Sequence, residues 1–181
     1  LKDKIINIIS STKAKVGVGI KHLNSQKEIL INEESVFPSA SLIKLFILSE
    51  ACNQVKSGKI ELNQSLCLNN EVKVGGDGIL KELNPGHEFT LTEMLTLMII
   101  VSDNTATNMI IDLLGMKNIN NLIQKLGFKS TVLQRKMMDF EAIKKGKQNY
   151  TNVKDILKYF DSLYNGQLID RQYSNFMINI L

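Results

Sequence analysis

The segment Ser41-Leu42-Ile43-Lys44-Leu45-Phe46-Ile47-Leu48 constrains the fold more than any other. It follows Pro38 and is halted near Gly58, which predicts a helix over residues 41–55. The helix is apolar on nearly all sides, and such a helix belongs in a core, packed by other elements. Lys44 sits in the middle of this run. Lysine is seldom fully buried without a reason. The fold therefore needs a central helix, and its embedded cation needs an explanation.

Other elements follow from periodicity and caps. Ile5, Ile6, Ile8 and Ile9 share one side of a helix over residues 2–12. Val16, Val18 and Ile20 alternate, Asn24-Ser25-Gln26-Lys27 supplies a turn, and residues 28–31 read as the partner strand. Residues 59–89 look irregular. Thr90-Leu91-Thr92-Glu93 has capping-box form and opens a helix to about Ile100. Further helices are expected over about 104–114 and 117–126, closed by Gly115 and Gly127. Residues 129–150 form a long polar loop, and loops of that length are usually functional or disordered. Thr151 is expected to cap a helix to about Tyr164, and a last helix starts near Asp170. The result is many helices and one hairpin, and a lone hairpin is marginal without further strands or packing helices.

Composition narrows the function. The chain has 181 residues, 44% apolar and 22% charged, which suits one soluble domain. The formal charge of +4 comes from scattered lysines, so nothing calls for nucleic acid as a partner. No apolar stretch is long enough for a membrane span. The first eleven residues lack the continuous apolar core of a signal peptide, so either the protein is cytoplasmic or a leader has been removed. Cys52 and Cys67 have no metal-ligand spacing and are expected to be unpaired thiols. With only His22 and His87, a zinc site or a histidine-based triad is not expected, and no cofactor is implied.

Two motifs carry chemistry. Ser41-Leu42-Ile43-Lys44 places a hydroxyl and an ammonium one helical turn apart. A serine is a weak nucleophile until a neighbouring base takes its proton, and a lysine whose pKa is depressed by burial can be that base. The helix N-terminus adds N–H groups for a developing oxyanion. Alone the motif is common: about one S-x-x-K arises by chance at this length, and Ser10-Ser11-Thr12-Lys13 is a second example without a role. Ser102-Asp103-Asn104 is rarer. It lies between two apolar helices, where the turn projects Ser102 and Asn104 into a shared cleft. Ser102 can relay a proton, Asn104 can bind a substrate amide, and Asp103 or Asn104 can cap the following helix.

In this order the two motifs resemble the signature of class A β-lactamases and penicillin-binding proteins. Phe37-Pro38-Ser39-Ala40-Ser41-Leu42-Ile43-Lys44-Leu45 looks like the family's nucleophile segment, and Val101-Ser102-Asp103-Asn104-Thr105-Ala106-Thr107-Asn108 is close to its second motif. Leu83-Asn84-Pro85-Gly86-His87-Glu88-Phe89 resembles the approach between them. The resemblance implies an α+β, β-lactamase/transpeptidase-like fold in a single domain over residues 1–181, with its helical part over about 41–165. It implies catalytic roles for Ser41, Lys44 and Ser102, and substrate binding by Asn104. The substrate would be a β-lactam or a cell-wall peptide, met outside the cytoplasm.

Two departures qualify this expectation. The family's long loop carries a glutamate soon after an arginine, and that glutamate activates the deacylating water. Arg135 matches the arginine, but the glutamate position falls on Met137, or on Lys136 or Met138 if the loop is shifted. Asp139 and Glu141 are the nearest carboxylates. Either another loop path brings Glu141 inward as the base, or both are surface groups. The second departure is that no K-T-G triad occurs, nor the strands that would carry it. The expectation is a fold lacking its C-terminal strands and half its oxyanion hole, inactive in this form.

Overall fold

The computed structural model describes all residues 1–181. Helix α1 (Lys2–Ser10) leads into the antiparallel hairpin β1 (Val18–His22) and β2 (Lys27–Ile31), with Ile20 opposite Ile29. After β3 (Val36–Pro38), a 3-10 turn over Ala40–Leu42 feeds α2 (Ile43–Lys56). Strand β4 (Ser65–Cys67) precedes β5 (Glu88–Thr90), α3 (Leu91–Ile100), α4 (Asn104–Leu114) and α5 (Met116–Lys125). The chain closes with α6 (Phe140–Lys144), β6 (Tyr150–Asn152), α7 (Val153–Tyr164) and α8 (Arg171–Ile180).

Helix α2 is the hub. Eleven of its fourteen residues are buried, so only its last turn meets solvent, and it packs against α3, α4, α5 and α8. Phe46 meets Phe128 and Tyr159 edge-on, each at 5.1 Å between ring centres. Fully burying an aromatic or aliphatic side chain contributes about 1.5–3 kcal/mol. A helix lined this way on every side anchors whatever its first turn carries.

The helices obey their caps. Thr90 accepts from the Glu93 N–H and donates its own N–H to the Glu93 carboxylate, the capping box read from the sequence. Asp103 caps α4 through the Ala106 N–H. The cap of α7 corrects the sequence expectation. Asn152, not Thr151, accepts from the Asp155 N–H, while Thr151 is buried and shares a hydrogen bond with Thr131. Thr151 is occupied in β6, so the next residue takes the helix start. The α-helix at the nucleophile segment also begins at Ile43, with Ser41 in the preceding 3-10 turn. Neither cysteine is in a disulfide. No helix is long and apolar enough to cross a membrane.

Two short ladders that the sequence did not foretell set the site. Strand β3 pairs with β6, Phe37 opposite Thr151, and β4 pairs with β5, Leu66 opposite Phe89. The first ladder ties the run-up to Ser41 to the end of the 129–150 segment. The Ser39 N–H then donates to the Asn149 carbonyl at 2.8 Å, extending that tie to within two residues of Ser41.

Candidate active site

Four of the five residues singled out in the sequence meet at one point. Ser41 Oγ lies 2.7 Å from Ser102 Oγ. Lys44 Nζ lies 2.9 Å from Ser102 Oγ, and it donates to the Ser102 carbonyl at 2.6 Å and to Asn104 Oδ1 at 3.2 Å. Lys44 makes no hydrogen bond to Ser41 itself. The structure therefore links a partly solvent-facing hydroxyl to a buried amine through a second hydroxyl.

The local backbone makes this possible. Ala40 and Ser102 have φ of +45° and +53°, an uncommon region for residues other than glycine, Asn and Asp. Such strain persists only where the surroundings over-determine it. For Ser102 the fixing group is Asp103, which the sequence offered only as a cap. Its carboxylate accepts from the N–H groups of Ile79 at 2.7 Å, Leu80 at 2.9 Å and Ala106 at 2.9 Å. Asp103 is 1% exposed, so these bonds tie the Ser102–Asn104 turn to the loop over residues 75–79.

Lys44 is 1% exposed. Burial pulls its ammonium down to about 8, while the Asp77 and Asp103 carboxylates pull it back up. Desolvation disfavours the charged form of a lysine, and that makes it a usable base near neutral pH.

Glu141 is the correction. Its carboxylate is exposed, pairs with Lys144 at 2.7 Å, and does not line the cavity beside Ser41. Asp139 caps α6 through the Ala142 N–H, and the helix then turns Phe140 and Ile143 toward the cavity. Residues three apart share a helix face, so Glu141 and Lys144 share another. The cavity holds about 160 Å³, and Met137 and Met138 complete its loop wall. No carboxylate lines it. Asn108 and Asn149, also not picked out from the sequence, hold this loop. Asn108 clamps the Met137 backbone from both sides, and Asn149 bridges the backbones of Gln134 and Arg135.

The sequence model of the Beta-lactamase enzyme family matches residues 1–181, the whole chain. The chain belongs to the beta-lactamase enzyme family. It is 30% identical to the extended-spectrum beta-lactamase PER-1 of Pseudomonas aeruginosa, covering 89% of this chain and 55% of that protein. A beta-lactamase structure from Sphaerobacter thermophilus superposes with a TM-score of 0.91 at 27% identity, covering 99% of this chain and 68% of that one. The PBP-A structure gives a TM-score of 0.89 at 27% identity, covering 99% and 66%. The β-lactamase/transpeptidase-like α+β fold expected from the sequence is thus the observed one. The chain spans 55% and 58% of the lengths of two curated beta-lactamase relatives.

Proposed function

We propose that the whole protein carrying this sequence is a serine acyl-transfer enzyme that opens β-lactams through an acyl-enzyme at Ser41. Ser41 Oγ attacks the lactam carbonyl carbon, and its proton passes through Ser102 Oγ to neutral Lys44. The carbon–nitrogen bond breaks, the ring nitrogen takes a proton back along the same relay, and an ester to Ser41 is left. The observation that carries this reading is the Ser41–Ser102–Lys44 chain at 2.7 and 2.9 Å. Asn104, with its carboxamide beside the lysine, is assigned to the substrate amide.

Release of the ester needs an activated water, and the cavity beside Ser41 offers Met137, Met138, Phe140 and Ile143 where a base would be wanted. The acyl-enzyme is therefore expected to persist. This same feature favours a second reading, a cell-wall DD-peptidase, an esterase or a penicillin-binding sensor. A mutant of the PBP-A relative is described as an acyl-enzyme complex with penicillin G. Either substrate class places the protein outside the cytoplasm.

The K-T-G wall is assigned to the part of the fold these 181 residues do not contain, which as they stand are then inactive. Support comes from the longer relatives and from two apolar cavities of about 500 and 430 Å³, open along β1 and α7. Incubating the full-length natural protein with benzylpenicillin and following its mass over time tests the proposal. A transient adduct with product means a β-lactamase, and a stable adduct means a penicillin-binding protein or sensor. An unmodified Ser41 overturns acylation by β-lactams.

A further inference from the structure

Met138 stands out at the site without a part in the relay. Its φ is +60°, uncommon for a long side chain. Both flanks fix it there. Asn108 clamps Met137 just before it, and the Met138 carbonyl accepts from the Phe140 N–H at the start of α6. This conformation carries the thioether across the cleft onto the loop over residues 75–78. A Cβ on Gly76 would lie 2.9 Å from Met138 Sδ and 2.5 Å from Asn104 Nδ2. A Cβ on Gly75 would lie 4.0 Å from Met138 Cε. Only a glycine lets the opposite wall receive the methionine this closely. Asn104 Nδ2 donates to the Gly75 carbonyl at 3.2 Å, so Met138 lies over a closed corner beside the substrate amide position.

We propose that Met138 is a latch that joins the two walls of the cleft and limits the acyl side chain of the substrate to small groups. The inference rests on Ser41 being the acylated residue. Met138 shares the wall of the cavity beside Ser41 with Asn104, Met137, Phe140 and Ile143. The latch is held by contact alone, since no hydrogen bond fixes the thioether to the glycine loop. Methionine has three rotatable side-chain bonds. It can swing aside without moving the strained backbone, so a bulky substrate is slowed by the side chain and not by the loop.

Met138→Gly tests this, because glycine accepts the positive φ and removes the thioether. Met138→Asn is the second variant, tolerant of the same backbone and shorter. In the full-length natural protein, acylation rate constants at Ser41 are measured with 6-aminopenicillanic acid, which has no acyl side chain, and with methicillin, which has a bulky aryl one. Both variants should accelerate methicillin tenfold or more and leave 6-aminopenicillanic acid within threefold. Equal changes for both probes, or none, overturn the latch. Amide hydrogen exchange at Asn104, whose N–H donates to the Asp77 carbonyl in the glycine loop, decides the case independently of acylation. A rise of tenfold or more in Met138→Gly supports the contact, and unchanged exchange overturns it. Absence of any adduct from either probe counts against Ser41 acylation, and exchange at Asn104 still judges the latch.

Discussion

The pH dependence of acylation is the most direct consequence of the buried lysine. An ordinary lysine, with a pKa near 10.5, is neutral in about 3 molecules in 10,000 at pH 7. Burial brings Lys44 to about 8. At that value about one molecule in ten is neutral at pH 7, a gain of about 300-fold in usable base. The acylation rate constant should then rise about tenfold from pH 7 to pH 9, half of the rise lying near pH 8, and level off above. Asp77 and Asp103 hold the value up, so Asp77→Asn should move the midpoint to lower pH. Asp77 is exposed, and the movement should shrink with added salt. Stopped-flow acylation of the full-length natural protein by a chromogenic cephalosporin, from pH 6 to 10, measures all three. A rate that falls through pH 8 would mean that the ammonium and not the amine is the working form. That result, or an alkaline movement in Asp77→Asn, refutes the reasoning.

Ser102→Ala removes the only hydroxyl joining Ser41 to Lys44, and acylation should fall by about 10²–10⁴, the usual contribution of a positioned acid–base group, while the thermal melt changes little. Gly78→Ala should cost about 3 kcal/mol or more in urea unfolding, since φ is +108° and the new Cβ would strike the Asp103 carboxylate. Met137→Glu puts a carboxylate in the wall beside Ser41, and the benzylpenicillin adduct should then decay at least tenfold faster by mass spectrometry.

Long-range shape was less legible in the sequence than local chemistry. Thr90, Asp103 and Asp170 all cap helices, because a cap depends only on residues three apart. The strands β3 to β6 were invisible. Each is three residues long, too short to show alternation, and β3 pairs with a partner more than a hundred residues away. The same blindness explains Thr151, whose hydroxyl belongs to that ladder's surroundings and is spoken for before the helix begins. Glu141 failed for a different reason. Helix α6 has five residues, and only its Asp139 cap decides that Phe140 and Ile143 face the cavity while the carboxylate faces water. The burial and lowered pKa of Lys44 were legible because the anomaly is local: one cation inside an uninterrupted apolar run.

That anomaly also has an internal logic in proton counting. The ammonium form of Lys44 has three N–H groups and three acceptors in reach, the Ser102 carbonyl, Ser102 Oγ and Asn104 Oδ1. The amine form has two N–H groups and one lone pair. Carbonyl oxygen and Oδ1 can only accept, so the two N–H groups stay with them and the lone pair must face Ser102 Oγ. The Ser102 hydroxyl then donates to the lysine and its oxygen is free to accept from Ser41. In the ammonium form the same hydroxyl donates toward Ser41 instead, opposing the proton flow that attack requires. The polarity of the whole relay is thus set by one proton on Lys44. No heavy atom has to move to reverse it, and every polar group is satisfied in both states. A lysine buried on those terms carries a desolvation cost only in its charged form, which ties its burial to the direction of proton transfer in the proposed attack by Ser41.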